Sequence, residues 1–148
     1  MSIFQSMSIT SSALTAQRLR MDVISSNMAN VDTTRGKYIN GEWQPYSRKM
    51  VVMQPHSSSF ASMLNGAIGK NEMGGVKVTK IVEDDSPFKM VFDPDHPDAN
   101  EEGYVQLPNV DPLREMVDLI SSTRSYEANV TVFNATKSMY MKALEIGK

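Results

Sequence analysis

Leu14-Thr15-Ala16-Gln17-Arg18-Leu19-Arg20-Met21-Asp22-Val23-Ile24 carries the repeat that decides the fold. Outward from it, Met7, Leu14, Met21 and Met28 recur every seventh residue, with Thr10, Gln17, Ile24 and Val31 three residues after each. Alternating steps of three and four lie along one face of an α-helix, so the pattern predicts a helix with a heptad seam. The far end of the chain repeats the device: Leu119, Tyr126, Phe133 and Tyr140 recur every seven residues, interleaved with Met116, Thr123, Val130, Lys137 and Leu144. Leu113, Val117 and Ile120 widen the apolar face near its start. Val130-Thr131-Val132-Phe133 has the residues of a strand, but it sits within the longer period and is read as helix.

Helix breakers separate these two arms. Seven of the eight glycines lie between Gly36 and Gly103, and six of the seven prolines between Pro45 and Pro108. The exceptions are Gly147 in a helix-stop position and Pro112, a first-turn proline behind the N-cap Asp111. The arms read as helices of roughly 27 and 35 residues, about 40 and 52 Å long at 1.5 Å per residue. Between them, Tyr46 to Met53, Val76 to Ile81, Phe88 to Phe92 and Tyr104 to Leu107 alternate as strands do. Glu83-Asp84-Asp85-Ser86-Pro87 has the residues of a hairpin connection between the second and third, Asn40-Gly41 reads as a turn, and Ser57 to Ile68 as a short helix or loop. The expected fold class is α+β, with long terminal helices forming an antiparallel coiled-coil pair and a small antiparallel β domain of four strands between them. The boundaries fall at 1–35, 36–110 and 111–148.

Composition narrows the function. The 148 residues hold 15 Lys+Arg against 17 Asp+Glu, a net charge of −2, and no Lys/Arg run, which speaks against nucleic-acid or direct lipid binding. No cysteine is present, which removes thiolate nucleophiles and disulfides. The N-terminus lacks the charged start and apolar run of a secretory signal, and no stretch is apolar enough to span a bilayer, so a soluble chain without a cleaved signal is expected. Residues 1–30 carry only Arg18, Arg20 and Asp22 as charges, and residues 128–136 carry none. A solvated helix face is normally charged, so these Ser, Thr, Asn and Gln faces point to a second buried side.

Candidate chemistry is sparse. Asp93-Pro94-Asp95-His96-Pro97-Asp98-Ala99-Asn100-Glu101-Glu102 fails as a calcium loop, because Pro97 takes the fifth position and Asp98 the place of the sharp-turn glycine. It reads as a solvated turn-forming loop. His56 and His96, the two imidazoles, stand forty residues apart without a metal-ligand or catalytic pattern, and Gly74-Gly75 lacks the Lys-Ser/Thr of a phosphate loop. Trp43 and the tyrosines do not alternate with cations as a base-stacking platform would. The twelve methionines, spread through seams and strands, suit core and interface filling rather than copper. No catalytic residue, metal or cofactor is expected.

The arms resemble the bacterial flagellar axial family, the rod and hook proteins. Leu14 to Ile24 leads into Ser26-Asn27-Met28-Ala29-Asn30-Val31-Asp32-Thr33-Thr34, which is similar to that family's Asn-x-Ala-Asn-x-x-Thr-Thr signature. Glu115-Met116-Val117 and Thr123-Arg124-Ser125-Tyr126-Glu127-Ala128-Asn129 resemble its C-terminal signature. His96 to Asn100, Gly103-Tyr104-Val105 and Pro108-Asn109-Val110 look like the proximal rod members of the C type. Asp32 and Arg35 depart from the usual pattern after the first helix.

The resemblance implies a structural subunit of the flagellar basal-body proximal rod, in the part of the shaft that spans the periplasm. It implies export through the flagellar type III apparatus, and partnership with other rod proteins and with copies of itself. The seams give the expected assembly interface: Met7, Leu14, Met21, Ile24, Met28, Asn30, Met116, Leu119, Tyr126, Val130, Phe133, Tyr140 and Leu144. Two other classes compete. A wall-cleaving hydrolase would need two carboxylates held in a cleft, and a coiled-coil adaptor or export chaperone would keep stable helices in dilute solution.

Overall fold

The computed structural model describes residues 3–39, 41–56, 68 and 74–147. Two helices dominate it: α1 (Ile3–Ala29, 27 residues) and α2 (Pro112–Ile146, 35 residues). Their lengths are those the breaker positions predict. Asp111 caps α2, its side chain accepting from the Leu113 N–H at 3.1 Å, and Pro112 takes the first turn, where its missing N–H costs nothing.

The helices run antiparallel. Phe4 meets Tyr140 edge to face with ring centroids 5.6 Å apart, Met21 Sδ accepts from the Thr123 hydroxyl at 3.5 Å, and the Asn27 amide donates to Glu115 at 3.1 Å. Residue numbers fall on α2 as they rise on α1. The seam is narrower and more polar than the heptads suggest. On α2 the most deeply buried residues are Glu115, Ser122 and Thr136, with Asn129 half-buried on the same seven-residue column. That column runs one residue ahead of the Met116 to Leu144 series expected from periodicity. Small side chains there let the two backbones approach, while Leu119, Tyr126, Phe133 and Tyr140 pack beside them half-buried.

Between the helices, among the described residues, lie six strands in three antiparallel ribbons, where one four-stranded domain was expected. β1 (Lys37–Ile39) pairs with β2 (Glu42–Gln44), β3 (Lys49–Pro55) with β4 (Val76–Glu83), and β5 (Lys89–Phe92) with β6 (Tyr104–Leu107). Three-residue strands are too short for alternation to show, which hid β1 and β2. Gly41 turns between them at φ +93°, a conformation that favours glycine; Asn40 lies outside the described residues. The ladder of β3 and β4 slips between Val52 and Met53, and Thr79, opposite the slip, donates to the Val52 carbonyl at 3.2 Å.

Glu83 to Pro87 does not close a hairpin. Asp84 Oδ1 accepts from the Ser86 N–H at 3.0 Å, and the Asp84 and Ser86 carbonyls accept from the Asn109 amide at 3.0 and 3.1 Å. The segment is thereby held to the approach to α2, and β5 leaves toward β6 instead of folding back on β4. Ser57 to Ala67, expected as a short helix or loop, lies outside the described residues.

α1 packs on α2 and also on β3 and β4. The buried apolar side chains are few: Ala16, Val23 and Ile24 on α1, Val105 on β6 and Val110 ahead of α2. The middle of the chain therefore leans on α1. Gly36 fixes another close approach, since a Cβ there would stand 2.7 Å from Tyr46 Cα. Among the described residues no helix is long and apolar enough to cross a membrane.

Candidate assembly interface

Where α1, β3 and α2 meet, polar groups form a buried knot. Asn27 is 1% exposed and Glu115 fully buried. The Asn27 amide donates to the Lys49 carbonyl at 2.9 Å and to Glu115 Oε2 at 3.1 Å, while its Oδ1 accepts from Lys49 N–H at 2.9 Å and from the Tyr46 hydroxyl at 3.0 Å. One side chain thus completes the hydrogen bonding of an edge strand and touches both other elements. Arg48 Nε donates to Glu115 Oε1 at 2.6 Å, and its other nitrogens lie 3.5 Å from Asp84 and 3.7 Å from Asp118. Asp118 in turn reaches Arg20 on α1 at 3.3 Å. Burial pulls the Arg48 guanidinium down, but Glu115 and Asp84 outweigh it and hold the group above the ordinary arginine value.

The signature after α1 is a second fastening. Asn30 Nδ2 donates to the Ser26 carbonyl at 2.8 Å and its Oδ1 accepts from the Thr33 hydroxyl at 3.2 Å, which winds the chain off the helix. Thr34 Oγ1 donates to Asp98 at 2.7 Å, and Arg35 Nε donates to the same carboxylate at 2.8 Å. Arg35, a departure from the usual pattern, thereby ties this loop to the acidic segment. That segment folds on itself: His96 Nδ1 accepts from the Asp98 N–H at 3.0 Å, and Asn100 Oδ1 accepts from the Glu102 and Tyr104 N–H groups at 3.1 and 2.8 Å. His56 is exposed at the end of β3.

Two carboxylates make the fold acid-sensitive. Arg35, then Thr34, holds Asp98 below the usual aspartate value of 3.8, and hydrogen bonds from Ser86, with help from Arg48, do the same for Asp84. A depressed folded-state pKa adds stability that is complete above the unfolded value and is lost as pH falls through the folded one. The urea midpoint of the purified chain should therefore hold between about pH 7 and 5 and drop below about pH 4. In Asp98→Asn and Asp84→Asn that drop should be shallower. An unchanged drop in both variants would refute the assignment.

The residues expected at an assembly interface divide by burial. Ile24 is buried, and Met7, Leu14, Met21, Met28, Asn30, Leu119, Tyr126, Val130, Phe133 and Tyr140 are half-buried. Met116 and Leu144 are 46% and 53% exposed, on the flank of α2 away from the polar column. With them α2 exposes Leu113, Val117, Ile120, Val132, Met139 and Ile146, more apolar surface than one helix of a monomer ordinarily leaves bare.

The uncharged faces gain a physical explanation. The hydroxyls of Thr10, Thr15, Thr131 and Thr136 each donate to the carbonyl four residues earlier. Ser12 donates to the Ile9 carbonyl at 2.7 Å. Each of these hydroxyls is satisfied on its own helix, and those of Thr15 and Thr131 are so on exposed faces, which can be covered at small cost; the buried Ser122 hydroxyl, by contrast, finds no partner among the described residues. Asn27 and Glu115 stood within the two signatures without being singled out; the seven-residue recurrence of Glu115, Ser122, Asn129 and Thr136 was their signal. Arg48 had none.

An α+β chain whose ends close into one antiparallel helix pair, knotted to β ribbons by buried polar side chains, is the class of protein these features define. The flagella basal body rod protein family matches residues 7–37, and the C-terminal family of flagellar basal body rod FlgEFG proteins matches residues 101–146. Over the full length of both chains, the sequence is 67% identical to the flagellar basal-body rod protein FlgC of Bacillus subtilis and 40% identical to that of Salmonella typhimurium. It is 43% identical to the FlgC of Borreliella burgdorferi, over 99% of this chain and 98% of that one. The chain belongs to the FlgC family of flagellar basal-body rod proteins. These relatives are rod components, not adaptors or export chaperones.

Proposed function

We propose that this chain is a structural subunit of the flagellar basal-body rod, placed in its proximal, periplasm-spanning part. It works without a cofactor and without catalysis, and reaches the rod through the flagellar type III apparatus without a cleaved signal peptide. The observation that carries the reading is the helix pair itself: full-length similarity to FlgC proteins coincides with a long helix α2 that leaves Leu113, Val117, Ile120 and Leu144 exposed, and with exposed Thr15 and Thr131 hydroxyls already satisfied on their own helices. The apolar part gains from being covered, and the hydroxyls can be covered at small cost. Neighbouring rod proteins and further copies cover them, and Met116 and Leu144 belong to that outer contact, while Met21, Ile24 and Phe133 act within the pair.

Electron microscopy of basal bodies purified from swimming cells, with the sole copy of the chain tagged between residues 57 and 67, tests this. The tag is expected as density on the rod close to the inner membrane. Density confined to the hook, or a tag recovered only from the cytosol of cells that swim, would overturn it.

A further inference from the structure

The surface outside the knot is divided by charge. Between Lys89 and Arg114 the sequence holds six carboxylates and no lysine or arginine. This acidic stretch borders a groove of about 380 Å³ between β2 and β6, lined by Glu42, Trp43, Asp98, Asn100, Tyr104 and Gln106. Trp43 is 55% and Tyr104 39% exposed. Each ring packs on its cross-strand partner, Tyr38 against Trp43 with centroids 5.1 Å apart and Phe92 against Tyr104 at 5.3 Å. Asp98 is held by Thr34 and Arg35, whereas Glu42 makes no ion pair among the described residues. Aromatic faces beside an unpaired carboxylate are what a primary ammonium group seeks: the ring quadrupole and the carboxylate attract the same charge.

The matching cations sit on β4. Lys77 and Lys80 are exposed and make no ion pair among the described residues. The carboxylate on their own strand, Glu83, is engaged by Lys37. Each copy therefore carries an acidic aromatic socket on the β2 and β6 ribbons and an unpaired ammonium pair on the β3 and β4 ribbon.

We propose that the groove between β2 and β6 receives the Lys80 side chain of a second copy of this chain, with Lys77 at the rim, as a contact between subunits in the rod. The contact joins two different patches, so it is head to tail and repeats around a helical array instead of closing into a dimer. It rests on the rod reading, because only an array presents the socket of one copy to the β4 of the next.

The test uses the absence of cysteine in the chain. Cells express two differently tagged copies, one carrying Gln106→Cys and the other Lys77→Cys, which leaves Lys80 in place, and purified basal bodies are treated with a short bismaleimide. A dimer containing both tags is expected only when both variants are present. In parallel, Glu42→Lys and Lys80→Glu should each lower incorporation about tenfold by placing like charges together, and the double variant should recover most of it. No mixed dimer in basal bodies that contain both variants, together with a double variant no better than the singles, overturns the proposal and leaves the rod reading intact. Absence of the wild-type chain from basal bodies is the separate result that overturns the rod reading.

Discussion

Glu115→Ala is expected to destabilise the purified chain by about 3–5 kcal/mol, the cost of breaking a buried ion pair by removing one partner. Glu115 is fully buried and accepts from Arg48 and from Asn27, so its loss strands a guanidinium that is 9% exposed as a residue and an amide that is 1% exposed. Asp84 and Asp118, at 3.5 and 3.7 Å, are too distant to replace a 2.6 Å charge-assisted bond. The damage spreads because the knot joins three elements: Arg48 also fixes the chain through its N–H to Asn109 Oδ1 at 2.7 Å. With a total stability of order 5–15 kcal/mol for a domain of this size, such a loss removes a large share of that stability. Urea unfolding followed by far-UV circular dichroism measures it. The pair should behave asymmetrically, since replacing both charges by apolar residues of similar volume is often near neutral. Arg48→Met with Glu115→Leu should therefore recover most of what Glu115→Ala loses, and a double variant as unstable as the single would show that packing, not the stranded charge, carries the effect.

The two helices were legible because breakers and periodicity agreed. Pro112 behind Asp111 marks one start, and the absence of Gly and Pro from residues 1–35 leaves α1 nothing to stop it before the Asn30 turn. The strands were legible as segments but not as partners. Alternation in Val76 to Glu83 tells which residues share a face and says nothing of which strand they meet; that was decided by Asn109, which holds the Asp84 segment and sends β5 to β6. Of the two columns expected on α2, the one from Met116 to Leu144 lies one residue off the buried one, because periodicity of apolar residues does not mark a polar column. Glu115, Ser122 and Thr136 are buried there instead, and a polar column in a seam becomes visible only when its partners, Asn27 and Arg48, are seen beside it. Arg48 lies in the alternating run Tyr46 to Met53, and alternation assigns it a face but no partner; Glu115 reaches it only because Asn27 ties Lys49 to α1 beside α2.

Met21→Asp and Phe133→Asp are expected to abolish incorporation into the rod, and to do so by unpairing the helices. Met21 Sδ accepts from the Thr123 hydroxyl, and Phe133 lies half-buried on the column of Leu119, Tyr126 and Tyr140. A lone carboxylate in such a seam costs several kcal/mol unless it is protonated or paired. The described cations nearest in sequence do not answer it inside the seam: Arg20 is committed to Asp118, and Lys137, one turn beyond Phe133, is exposed, so pairing with it would draw the carboxylate out of the helix contact. Both variants should lose helical signal as purified chains and be missing from basal bodies, and the cells should not swim. The informative comparison is Ser25→Asp, on the exposed outer face of α1. Its carboxylate is solvated in the isolated chain, so unfolding should match wild type, yet it would be buried wherever a neighbouring helix covers that face. Normal folding with absent incorporation separates the outer contact from the inner seam. Normal incorporation of Ser25→Asp would leave that face of α1 open to solvent in the rod, and normal incorporation of both seam variants would remove the helix pair from the account of assembly. Loss of secretion in the seam variants, with folding intact, would place the arms earlier, at export.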